Sequence, residues 1–102
     1  MRVEFVRSGG FAGILLVANI DFKNLSPDES ALLEKQIEAA DFFRLPEVIK
    51  PASAAPDRFE YQITVSSPNQ MHTVSVSESL VVDSLRPLIE HLTDLARTGK
   101  YR

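Results

Sequence analysis

The chain has 102 residues, of which 44% are hydrophobic, with 14 acidic and 11 basic side chains and a net charge of -3. That length suits one compact domain with its own core over residues 1–102, and the acidic balance offers no basic patch for a phosphate backbone, so no nucleic-acid partner is expected. Cysteine is missing from the sequence, which removes disulfides, thiolate metal sites and thiol nucleophiles together.

Arg2 to Arg7 sets Val3 and Phe5 against Arg2 and Glu4, the period of two of a half-buried strand. Ser8-Gly9-Gly10-Phe11-Ala12-Gly13 follows, with three glycines around one bulky side chain. A tight hairpin needs only a two-residue turn, and glycine is favoured where φ is positive or another backbone comes close. A second strand carries Ile14, Leu16, Ala18, Ile20 and Phe22 on one stripe, with Asn19 and Asp21 on the other. Leu15 and Val17 fall on that polar side, which leaves two readings: a dimer or partner surface, or a twisted edge strand with two tolerated apolar residues. The apolar run from Ile14 to Ala18 is far shorter than the roughly 20 residues of a membrane span. With charges at Arg2, Glu4 and Arg7 before it, the pattern of a secretory signal is not met, and a cytoplasmic location with no membrane partner is the expectation.

Ser26-Pro27-Asp28-Glu29 has the form of a capping box with proline at the first helical position. Leu33, Ile37 and Ala40, with Leu32 beside them, supply the apolar stripe of a helix ending near Ala40 to Phe43. From Leu45 to Asp57, Pro46, Pro51 and Pro56 with Ala52-Ser53-Ala54-Ala55 read as a long loop. Arg58 to Ser66 alternates again, with Phe59, Tyr61, Ile63 and Val65 on one face; Ser67-Pro68-Asn69-Gln70 turns the chain, and His72, Val74 and Val76 form a fourth strand. Leu85, Leu88, Ile89, Leu92, Leu95 and Ala96 follow helical spacing, with Asp83 or Ser84 as cap and Gly99 at the end.

The order ββαββα predicts an α+β fold: a four-stranded antiparallel sheet with two helices packed on one face. If the first strand runs up, the glycine segment lies at the top, the first helix climbs back, and the loop from Leu45 begins at that same end. Glu78 to Val82 returns there, so three irregular segments should share one rim.

Several of these pieces together carry a family resemblance. Ser8-Gly9-Gly10-Phe11-Ala12-Gly13 after an Arg-Val-Glu start, Leu45-Pro46, Asp57-Arg58-Phe59-x-Tyr61-x-Ile63-Thr64-Val65, His72-Thr73-Val74 and Leu85-Arg86-Pro87-Leu88, in that order over nearly the whole chain, resemble the emfourin family. Those are small bacterial inhibitors of protealysin, a thermolysin-like zinc metallopeptidase. The resemblance implies a non-enzymatic inhibitor whose partner is a thermolysin-like metallopeptidase; from the residues, a monomer or weak homodimer with no cofactor is expected.

The residues themselves offer little chemistry. His72 and His91 are the two imidazoles, and neither sits in a His-Glu-x-x-His pattern; both read as structural, so no metal site is expected. No Gly-x-Ser-x-Gly elbow marks a nucleophile. Gly9-Gly10-x-x-Gly13 leads into a strand, whereas phosphate-binding glycines lead into a helix N-terminus. The acidic residues Asp28, Glu29, Glu34 and Glu38 form a solvated helix face. Spacing alone leaves Phe11 as a plug closing the core or as a presented side chain; the resemblance favours the second. Thermolysin-like enzymes cleave before bulky apolar residues, so the Gly10-Phe11 bond, held in a hairpin, would enter the cleft without reaching attack geometry. The expected contacts are Ser8, Gly9, Gly10, Phe11, Ala12 and Gly13, joined by Asp57, Arg58 and the segment Pro51 to Pro56. No catalytic residue is assigned.

Overall fold

The computed structural model describes residues 1–10, 15–51 and 58–102. Its elements in chain order are β1 (Arg2–Gly9), β2 (Leu16–Asp21), α1 (Pro27–Ala39), β3 (Val48–Ile49), β4 (Phe59–Ser66), β5 (Met71–Ser77) and α2 (Arg86–Arg97). Short 3-10 turns stand at Phe22–Asn24, Phe42–Arg44 and Glu78–Leu80.

The alternating strands pair in a register that collects their apolar residues on one face. Val3 lies opposite Ile20 and Val65, and Phe5 opposite Ala18 and Ile63. Ile63 in turn faces Val74. All of these side chains are buried, in one hydrophobic cluster with Leu33 and Ile37 of α1 and Leu88, Leu92 and Leu95 of α2. Both helices therefore cover the same face, as the periodicity predicts. The other face carries Glu4, Gln62, Thr64, Thr73 and Ser75, exposed or half-buried, with the Thr64 and Thr73 hydroxyls 2.8 Å apart across paired strands.

The sheet has five strands, in the order β2-β1-β4-β5-β3, and it is mixed rather than purely antiparallel. The additional strand is β3, which pairs parallel to β5 with Val48 opposite Ser75 and Ile49 opposite Val76. It falls within the segment expected to be loop. Two residues between Pro46 and Pro51 cannot display an alternation; they become a strand because the Ser75 N–H needs an acceptor and finds the Glu47 carbonyl at 2.8 Å. This short strand also covers the edge of β5.

A second difference concerns α1, which does not climb to the glycine end. The chain enters α1 after Asp21, paired with Arg2. It leaves so that the Leu45 carbonyl lies 2.7 Å from His72 Nε2, and His72 is paired with Val65 near the turn between β4 and β5. Both ends of the α1 segment thus sit at the foot of the sheet, and β3 makes the ascent.

Local signals set the helix ends. Ser26 Oγ accepts from the Glu29 N–H at 3.2 Å, half of the expected capping box. The Glu29 carboxylate instead lies 3.7 Å from His91 Nε2 on α2, while His91 Nδ1 is 2.8 Å from Gln36 Oε1. Of the expected α1 stripe, Leu32 is exposed. On α2 the residue at the N-cap is Leu85, with no side-chain cap, rather than Asp83 or Ser84. Asp83 meets Arg86 at 3.6 Å instead. Gly99 closes the helix with φ +73°. Beyond it the Tyr101 carbonyl accepts from the Asn19 N–H on the outer edge of β2. No helix among the described residues is long and apolar enough to cross a membrane.

Candidate binding rim

At the upper end of the sheet the apolar rows give way to a different set of side chains. Arg7 is opposite Tyr61, and Gly9 is opposite Phe59. The end of β5, paired there through Ser77 and Glu60, runs into the turn Glu78–Leu80. Gly9 and Gly10, the start of β4 and the segment after β5 therefore share one rim; the loop from Leu45, expected to begin there, begins at the foot of the sheet instead, and the end of β3 is tied to the rim by Lys50 Nζ, 3.4 Å from Glu60 Oε2.

Gly9 and Gly10 both have positive φ, +91° and +78°, where an L side chain is strained. Their surroundings differ. A β-carbon on Gly9 would lie 2.4 Å from the Arg58 carbonyl oxygen, a fixed backbone atom. On Gly10 it would lie 2.8 Å from Cε1 of the Phe59 ring. The Gly10 N–H donates to the Arg58 carbonyl at 3.3 Å, and the Phe59 N–H donates to Glu78 Oε1 at 3.0 Å. The Arg7 guanidinium stacks on the Phe59 ring, 4.2 Å from its centroid. Arg7 Nε is buried with no hydrogen-bond partner among the described residues.

Below this stack Tyr61 lies 6.1 Å from Phe5 in a stacked pair. Burial raises its phenol above the ordinary value of 10.0 and the Glu78 carboxylate adds to the rise, while Arg7, Arg86 and Arg97 act against it. Arg7 and Tyr61 form one wall of an open groove of about 330 Å³ whose other wall is Ile89, Glu90, Thr93, Asp94 and Arg97 of α2. Outward from the turn, Leu80 and Val82 are 39% and 43% exposed, a bare apolar pair on the edge of the rim.

Of the residues that the sequence pointed to, Ser8, Gly9, Gly10 and Arg58 meet here. Ser8 and Gly9 are the last residues of β1 rather than loop, Gly9 and Arg58 are exposed, and Ser8 and Gly10 are half-buried. Phe11, Ala12, Gly13 and Asp57 lie outside the described residues, as do 52–56 of the proline-rich segment. Sequence reasoning put Glu78 to Val82 on the rim but passed over Arg7 and Phe59. The signal available was a glycine placed opposite an aromatic residue, which becomes visible only once the β1 and β4 register is known.

Elsewhere His72 serves packing. His72 sits edge-on to Phe42 at 5.8 Å with its Nε2 on the Leu45 carbonyl. A depression of about 440 Å³ at the foot of the sheet is lined by Glu34, Glu38 and Asp41 with Phe42 and Phe43. Among the described residues no three His, Asp or Glu side chains stand together in a way that could hold a metal ion.

The fold and site define a small α+β domain with a braced glycine segment and exposed apolar side chains on one rim. The particular family is given by comparison: the emfourin family model matches residues 5–93, and the chain belongs to that family. A search of the curated proteins and of the solved structures found no match. The family is one of metallopeptidase inhibitors, so a protease is the general class of partner.

Proposed function

We propose that the chain inhibits thermolysin-like zinc metallopeptidases by seating its glycine rim in the active-site cleft. Supporting this reading are two positive-φ glycines at the end of the sheet, Gly9 held by its pairing with Phe59 and Gly10 by its N–H bond to the Arg58 carbonyl. A substrate peptide must flex to bring its carbonyl into line for attack, and a turn fixed from within resists that movement. Preorganisation also lowers the entropy lost on binding. In this reading Ser8, Gly9, Gly10, Phe11, Ala12 and Gly13 enter the cleft, Asp57 and Arg58 make a second contact, and Leu80 and Val82 cover its margin.

Phe11 is the bulky apolar side chain of the Ser8 to Gly13 segment, and interface energy concentrates in a few such anchors. Phe11→Ala should weaken inhibition of a thermolysin-like protease, assayed on a small peptide substrate, by about 2 kcal/mol or roughly thirtyfold. A variant that stays folded and inhibits like the parent would remove Phe11 as anchor. A variant that unfolds would make it core.

The second reading is an interaction module or homodimer built on the sheet face of Leu15 and Val17. Leu15 is 63% exposed, and Val17 is paired with Val6 on the face away from the helices. Light scattering across protein concentration, with and without Leu15→Asp, separates the two readings: a dimer lost on this change with inhibition intact assigns the face to self-association.

A further inference from the structure

We propose that Phe59 is the positioning residue of the rim, held by Arg7 and Glu78, and that it presets the Gly9–Gly10 turn and so the direction in which the chain leaves Gly10. This rests on the inhibitory reading above and supplies its mechanism of preorganisation.

Three independent contacts converge on Phe59. Its ring fills the space that a side chain at Gly10 would need, with Cε1, Cδ1 and Cζ all within 3.5 Å of that position. An aromatic ring lying over a cross-strand glycine covers backbone that would otherwise be bare. The Arg7 guanidinium lies on the ring at 4.2 Å, and the Phe59 N–H is held by the Glu78 carboxylate at 3.0 Å. The strand, the turn after β5 and the glycine turn are thereby locked to one another through a single residue.

Arg7 adds a second line of argument. Its Nε is buried without an acceptor among the described residues, an arrangement that costs free energy and is uncommon in native proteins. Among the described residues, the contact that holds the Arg7 guanidinium is its stack on Phe59. Local violations of this kind gather where a fold sacrifices stability for a site. The Gly10 constraint is also asymmetric with respect to Gly9: a β-carbon on Gly9 meets backbone, whereas one on Gly10 meets this ring. The ring, a side chain that mutation can shrink, is thus the adjustable part of the turn.

The test is a double-mutant cycle of Phe59→Leu and Gly10→Ala, read by association and dissociation rates against a thermolysin-like protease and by amide exchange of the Gly10 N–H. If Phe59 presets the turn, Phe59→Leu lowers the competent population, so association slows by about tenfold while dissociation is nearly unchanged. The two changes should be non-additive, because the smaller side chain makes room for the new β-carbon. Exchange at Gly10 should accelerate while amides in the middle of β1 stay protected. Phe59→Tyr should retain the parent rates, and Arg7→Lys, which keeps charge but loses the planar stack, should shift association in the same direction by less. Additive energies, or a Phe59→Leu effect confined to dissociation, would overturn the proposal and make Phe59 an ordinary contact. If the parent itself fails to inhibit, the functional reading falls, and unchanged Gly10 exchange in Phe59→Leu would then refute the positioning role separately.

Discussion

Replacing Gly9 and Gly99 by alanine, one at a time, separates two costs that usually occur together. Both have positive φ, +91° and +73°, so each alanine carries a backbone penalty of about 1 to 2 kcal/mol. At Gly99 the nearest atom to the new β-carbon is the flexible Arg102 Nη2 at 3.7 Å, an ordinary contact, and the cost ends there. At Gly9 the new atom stands 2.4 Å from the Arg58 oxygen, where ordinary contact begins at 3.4 Å, so β1 and β4 must part by about 1 Å. That movement strains the Gly10 to Arg58 hydrogen bond, a further loss of about 1 kcal/mol. Gly9→Ala should therefore cost about 2 to 3 kcal/mol and Gly99→Ala about 1 to 2. At about 4 °C per kcal/mol for a chain of this size, the melting temperatures should fall by about 8 to 12 °C and about 4 to 8 °C. Urea denaturation with a shared slope checks the free energies. Equal losses at the two positions would refute the reasoning, since the backbone penalty alone would then account for both and the close approach at Arg58 would carry no energy.

The core and the rim give two further predictions. Leu92 is fully buried between α2 and the sheet, so Leu92→Ala should destabilise by about 2 to 5 kcal/mol in the same denaturation assay, and an unchanged midpoint would remove it from the core. Tyr61 binds its proton more tightly when folded than when unfolded, because burial and Glu78 raise its phenol above 10.0. The folded state thus holds more protons than the unfolded one above that value; stability is fully present below pH 10 and falls as pH rises further. Tyr61→Phe should flatten that decline, and an identical alkaline profile in the variant would assign it to other groups.

Much of the fold was legible because its signals are local. Alternation at Val3 and Phe5, and again at Ile63 and Val65, makes strands whichever neighbours they find. Ser26 and Pro27 start a helix by satisfying its own first turn, and the spacing from Leu85 to Ala96 writes an apolar face that needs a sheet to cover it. The glycines at 9 and 10 likewise announced positive φ. What stayed hidden depends on partners distant in sequence. Val48 and Ile49 carry no pattern of their own and are a strand only because the Ser75 N–H on β5 takes the adjacent Glu47 carbonyl as its acceptor. The path of α1 along the foot of the sheet depends on where His72 receives the Leu45 carbonyl, a contact spanning 27 positions. The rim was visible as a glycine motif, but its brace was not, because Arg7, Phe59 and Glu78 are ordinary strand and turn residues until register brings them together. The sequence by itself determined four strands, two helices, their buried faces and the positive-φ glycines, since these follow from side-chain periodicity and backbone preference. Tertiary structure alone decided the fifth strand, the course of the first helix and the ring that fills the space beside Gly10, because each is a pairing across the sheet whose free energy exists only after the chain has closed.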